Sequence, residues 1–198
     1  MKIRGCIALG AILLAAPALR AQAAAPDTLP ADTAAPNPVR DFVYDLADPL
    51  ALANAGAMGL YDHIRTDPYD WGGGMDALVQ RIASRAGGHL VGTSVRHGLA
   101  AALGRSTQDE ECRGCATPED RINHALMETF TDRDASGRRV ISEPFLAGAY
   151  AGAIVPTLWH PDSTLGDGLV NGTISVLFSA ATEVLFALLE PLVEAQGP

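Results

Sequence analysis

The stretch with the clearest chemical meaning is Asp132-Arg-Asp134-Ala-Ser136-Gly137-Arg138-Arg139-Val-Ile-Ser142-Glu143. Oxygen-bearing side chains at positions one, three, five and twelve, with glycine at six for a tight turn, follow the calcium loop of a helix-loop-helix site. Asp132, Asp134, Ser136 and Glu143 would supply those oxygens, and Arg138 would stand at the position that gives a backbone carbonyl. Two features oppose calcium as a cofactor. Arg139 replaces the usual branched apolar residue and adds a second positive charge beside the cation, and no second loop pairs with this one. The plainer expectation is a polar turn between helices, with Gly137 left-handed and Ser142 capping the next helix. No metal and no cofactor is therefore the expectation, with calcium as the alternative.

Cys112-Arg-Gly-Cys115 is the second candidate. In an oxidising compartment the pair reads as a small-loop disulfide. A thioredoxin-like redox pair needs a βαβ setting that the surrounding sequence lacks, and covalent haem attachment needs histidine where Ala116 stands. Two thiolates with His124 could hold a metal, but spacing reveals no fourth ligand.

Arg81, Arg85, His89 and Arg96 share one face of a helix, as do Arg121, His124 and Glu128 on another. Facing each other, these stripes could form a cationic pocket for a carboxylate or phosphate, with Glu183 as counter-charge. The simpler expectation is a partly solvated face plus an internal polar cluster of Arg81, Arg85, Arg121, His124 and Glu183, in which an arginine neutralises Glu183. No Gly-x-Ser-x-Gly elbow or ordered Ser, His and acid layout is found, so no catalytic residue is assigned. Gly72-Gly73-Gly74 lacks the lysine and hydroxyl of a phosphate loop, and the sequon Asn171-Gly-Thr173 falls inside an expected helix.

Apolar residues at three- and four-residue spacing make these positions helical and the fold all-α. Helices are expected over 48–65, 75–103, 118–131, 142–158 and 165–189. Thr117 with Pro118, Glu119 and Asp120 is a strong start signal, and Pro191 is expected to end the last helix. Small residues recur every fourth position at Ala51, Ala55 and Gly59, at Ser84, Gly88 and Gly92, at Gly148 and Gly152, and at Gly168 and Gly172. Such ridges let helix axes approach closely, in a compact bundle of about five helices. Membrane helices share that habit, and 169–189 is apolar over a bilayer's length, with Asn171 and Glu183 its strongly polar residues. Charges on the second helix favour instead a soluble bundle with this helix at its centre.

Ahead of the helices, residues 1–23 have a basic start at Lys2 and Arg4, an apolar run and Ala21-Gln22-Ala23, the layout of a secretory signal peptide. Export to the periplasm or cell envelope is the expected localisation. Residues 24–46 read as a disordered linker, and 193–198 as a flexible tail after the helical domain at 47–192. Lys2, Arg4 and Arg20 leave with the signal, so eleven of the 14 basic residues remain against 23 acidic ones. That acidity excludes nucleic acid as a partner and disfavours anionic membrane surfaces. A homo-oligomer stays open, and no other partner is indicated.

Pro68-Tyr-Asp-Trp71-Gly72-Gly73-Gly74-Met75, Gln80-Arg81, Arg121-Ile-Asn-His124-Ala125-Leu126, Thr129-Phe130 and Ser136-Gly137-Arg138 resemble a group of uncharacterised exported bacterial proteins. Pro156-Thr-Leu-Trp159-His160-Pro161 and Glu183 are further echoes, although that group would carry an aromatic pair before the proline. The resemblance implies a signal peptide and a mainly helical domain, and transfers no catalytic residue. The resulting expectation is a non-catalytic binding or structural helical module of the envelope. A membrane-embedded bundle, a calcium protein and a periplasmic enzyme or redox factor are the alternatives.

Overall fold

The computed structural model describes residues 37–107, 112, 114–161 and 163–194. The expected signal peptide, the linker up to residue 36 and the final residues 195–198 lie outside them. Six α-helices are present among the described residues: α1 (Pro38–Leu46), α2 (Pro49–Arg65), α3 (Met75–Leu103), α4 (Pro118–Phe130), α5 (Glu143–Ile154) and α6 (Leu165–Glu194). The fold is all-α, with one short hairpin of β1 (Thr131–Arg133) and β2 (Arg139–Ile141).

Local chemistry sets the helix ends. Asp48 accepts from the Leu50 amide at 3.0 Å to start α2, and Thr66 in the left-handed region (φ 55°) stops it. Thr117 and Asp120 form a reciprocal capping box on α4, and the Ser142 hydroxyl caps α5 by accepting from Phe145 N–H at 3.3 Å. Two expected boundaries are corrected. Residues 38–46 are helical rather than linker, because Asn37 caps Val39 and Arg40 and because α1 is latched to α3: the His97 Nε2 atom meets the Asp45 carboxylate at 2.8 Å, with Phe42 edge-on to the imidazole. Pro191 does not end α6, which continues to Glu194; near a helix end the lost N–H and the ring clash disturb less than one remaining turn.

The helices are neighbours in the order α2, α3, α5, α6, α4, with α1 against α3. Glycines set the spacing along that row, as the four-residue ridges predict. Gly88 and Gly92 of α3 lie directly on Gly148 and Gly152 of α5, Gly59 of α2 lies on Ile82, and Gly168 and Gly172 of α6 lie on Ile154 and Tyr150. Dispersion between closely apposed backbones holds these seams.

Burial is unusual in kind. The buried apolar side chains among the described residues are Ala55, Ala77, Ala100, Ala125, Val176 and Ala180, while Asp62, Arg81, Thr93, His97, Asp132 and Ser142 are buried as well. Large apolar groups such as Leu60, Leu90, Val170, Ile174 and Leu177 are instead exposed. The expectation that α6 is a central core helix is thereby corrected. Its buried stripe consists of Gly168, Gly172, Val176 and Ala180, and only 17% of its most apolar window is buried. Small residues give the first half of α6 a narrow contact with α5, while Val170, Ile174 and Leu177 face away.

Candidate functional site

A cleft of about 1150 Å³ runs along one face of the helix row. Gly88, Gly92, Gly148 and Gly152 at the α3–α5 seam line it, so the absence of side chains there gives the cleft its depth. Asp62 and Arg65 line it from α2, and Arg85, His89, Thr93 and Arg96 from α3. From α6 the lining is Asp167, Asn171, Ser175, Ser179 and Glu183, five polar residues at strict four-residue spacing on a mainly apolar helix. That stripe is legible in the sequence but was missed, because serines at 175 and 179 pass for small packing residues unless their hydroxyls are counted with their neighbours. A four-residue repeat advances about 400°, about 40° past a full turn, so the stripe slants and winds roughly 160° around the helix from Asp167 to Glu183.

The basic residues of α3 divide into locked and cleft-facing groups. Arg81 is 1% exposed. Its Nε donates to Asp67 O at 2.8 Å and its Nη2 to Pro68 O at 2.7 Å, while Nη1 lies 3.2 Å from His63 Nδ1. Trp71 packs against the same guanidinium at 6.0 Å and tilts onto His160 at 4.9 Å. Segments far apart in sequence, Pro68 to Trp71, Arg81 and His160, thus meet at one end of the cleft, with Arg81 pinning the α2–α3 loop.

Arg85 forms a two-pronged pair with Asp62, at 2.7 and 2.9 Å. Arg121 pairs with Glu190 at 3.6 Å, and His124 stands beside the cysteines. The expected cluster of Arg81, Arg85, Arg121, His124 and Glu183 is therefore not assembled as one network. Asp62, not Glu183, is the partner of Arg85, and Glu183 belongs to the cleft wall of α6.

In the hairpin the residues of the calcium alternative engage one another and their neighbours. Asp134 accepts from Ser136 Oγ at 2.5 Å and from Arg138 Nη2 at 2.9 Å, and these bonds hold its carboxyl well below the usual carboxylate range. Asp132 accepts from Ser142 Oγ at 2.7 Å, and Glu143 meets Arg105 at 3.4 Å. Asp132, Asp134, Ser136, Arg138 and Glu143 therefore satisfy one another and their neighbours. Among the described residues the single converging set of potential metal ligands is Cys112, Cys115 and His124. The structure also pairs Cys112 with Cys115 as the expected small-loop disulfide, at a Cα–Cα distance of 5.7 Å.

Burial raises the Asp132 carboxyl above its ordinary value, against the opposing Ser142 bond and the charges of Arg96 and Arg105. A carboxyl raised in the folded state favours folding when protonated, so this contribution is complete at acid pH and disappears as pH climbs through the raised value. Asp132→Asn keeps an acceptor for Ser142 without the charge. The variant's melting temperature relative to wild type is expected to improve from acid to neutral pH; an advantage that grows toward acid pH would refute this.

No protein-family model, curated protein or solved structure matches the chain.

Proposed function

We propose that this chain is an exported binding module of the cell envelope whose ligand site is the polar cleft over the α3–α5 seam. The carrying observation is that Asp167, Asn171, Ser175, Ser179 and Glu183 of α6 line one cleft with Arg85, His89 and Arg96 of α3. A buried-core helix has no use for five polar groups at four-residue spacing, whereas an open binding wall does. The signal-like residues 1–23 and the resemblance to exported bacterial proteins support the envelope location.

The mixture of cations and acids defines the ligand class. Arg65, Arg85 and Arg96 share the cleft with Asp48, Asp62, Asp167 and Glu183, so a polyanion meets repulsion along much of its length. An elongated, uncharged or zwitterionic polar ligand can instead satisfy donors and acceptors on both walls. The cleft, at about 1150 Å³, slightly exceeds ordinary small-molecule sites, which run to about 1000 Å³, and so suits an elongated ligand. Ser175→Trp, at the middle of the α6 wall, is expected to abolish co-purification of a small molecule in native mass spectrometry while leaving the helical circular dichroism intact. Equal ligand occupancy in variant and wild type would place binding elsewhere.

A second reading rests on the outward face of α6. The segment Leu165–Pro191 has 27 residues and a mean hydropathy of 1.8. At 1.5 Å per residue such a helix reaches roughly 40 Å, enough for the roughly 30 Å hydrocarbon layer. Val170, Ile174 and Leu177 would meet acyl chains while Asn171, Ser175 and Ser179 stay on the protein side. Expression of residues 24–198 without detergent separates the readings: a soluble helical protein supports the binding module alone, and flotation with zwitterionic vesicles supports membrane seating.

A further inference from the structure

We propose that Cys112, Cys115 and His124 form a binding site for one thiophilic d10 ion, Zn²⁺ or Cu⁺. The two sulfurs and an imidazole nitrogen all lie within 4.8 Å of one another. A tetrahedral zinc with bonds of about 2.3 Å to sulfur and about 2.0 Å to nitrogen places its ligand atoms roughly 3.5–4 Å apart. In the structure the two sulfurs are joined as a disulfide, so the site belongs to the reduced chain, in which side-chain rotation must part the sulfurs to that spacing.

Each ligand comes from a defined local structure. Cys112 and Cys115 belong to the connection between α3 and α4, and His124 lies in the second turn of α4, whose first turn is fixed by Pro118 and the Thr117–Asp120 capping box. All three residues are half-buried, which shields the thiolates while leaving a path for the ion. Two thiolates and one imidazole are donors that select soft and borderline metals over calcium or magnesium. Three protein ligands also leave a fourth tetrahedral position for water or an outside donor, as in catalytic rather than structural zinc sites.

The same two sulfurs are paired as the Cys112–Cys115 disulfide in the structure, and a disulfide cannot supply thiolate ligands. The chain is synthesised with thiols, so metal capture needs no reductant; it needs only to precede oxidation. Once bound, the thiolates are committed to the ion and the CxxC turn is anchored to α4.

The test uses the full chain, reduced and kept anaerobic. Titration with Co²⁺ is expected to give thiolate-to-metal charge-transfer absorption and tetrahedral visible bands at one equivalent, displaced by Zn²⁺; competition with a Cu⁺ chelator tells which ion is preferred. His124→Asn should weaken binding by more than the roughly 10- to 100-fold that loss of an outer-shell partner costs, and His124→Cys should restore it. Cys112→Ser with Cys115→Ser should abolish it. Binding no tighter than that double variant, or unchanged binding in a folded His124→Asn protein, overturns the site. If His124→Asn does not fold, His124→Cys decides: tight binding with an added thiolate charge-transfer contribution supports the site, and binding at the double variant's level refutes it.

Discussion

Replacing Arg81 by alanine is expected to cost about 3–5 kcal/mol of folding stability, among the largest single-residue effects in this chain. The guanidinium is 1% exposed and serves two backbone carbonyls of the α2–α3 loop, Asp67 O and Pro68 O, the second of which also accepts from Trp71 N–H at 3.3 Å. Truncation takes the guanidinium donor from Asp67 O, at about 1–3 kcal/mol, leaves Pro68 O with the Trp71 N–H alone, and opens a cavity beneath Trp71. For a chain of this size each kcal/mol lowers the melting temperature by roughly 2–4 °C, so the loss is on the order of 10 °C. Arg81→Lys keeps the charge but not the fork that reaches two carbonyls and His63 at once, and should recover only part of the loss. Tryptophan emission follows the same order, because Trp71 rests on the guanidinium. Unchanged melting in Arg81→Ala would mean that the arginine is not structural, returning it to the set of ligand-binding cations.

What could be read from the sequence divides according to whether the relevant partner is a side chain pattern or a backbone atom. The α3 boundaries at Met75 and Leu103 follow from apolar spacing and flanking glycines, and the structure reproduces them. The glycine ridges predicted close approach, and the Gly88–Gly152 contact shows it. Arg81 was visible as one of a row of basic residues on a helix face, but its partners were not, because carbonyls of Asp67 and Pro68 leave no mark in residue type. Glu183 drew attention as a charge in an apolar helix, and the neighbouring serines that make it one of a series did not. The calcium spacing at 132–143 was real as a pattern, yet Arg138 turned it into an internally paired hairpin through Asp134. Periodicity also could not say which side of α6 is covered: both its glycine stripe and its aliphatic stripe repeat at helical spacing, and the smaller one is buried.

Adding a methyl group at the α3–α5 seam should separate the two helices that floor the cleft. A Cβ at Gly148 would sit 2.7 Å from Gly92 O and 2.9 Å from the Arg96 Cβ, and one at Gly88 would sit 2.8 Å from Gly152 O. The first obstacle in each case is backbone, so relief requires shifting a whole helix rather than rotating a side chain. Alanine also improves helix propensity by about 1 kcal/mol, which sets a clear competition of signs. Overpacking of a rigid seam costs about 1–3 kcal/mol, so Gly148→Ala is expected to be destabilising on balance, and Gly148→Leu to cost several kcal/mol more. Gly98, on the same α3 helix, has open space where its Cβ would go; Gly98→Ala should gain roughly 0.5–1 kcal/mol. Thermal melts of the two alanine variants therefore diverge in opposite directions from wild type. Because Gly88 and Gly152 oppose each other, the paired alanine variant should lose less than the sum of its parts: once the first methyl has moved the helices apart, the second enters space already opened. A stabilised Gly148→Ala protein would show that the helices are not held at backbone contact, and with that the glycine-floored depth of the cleft would go.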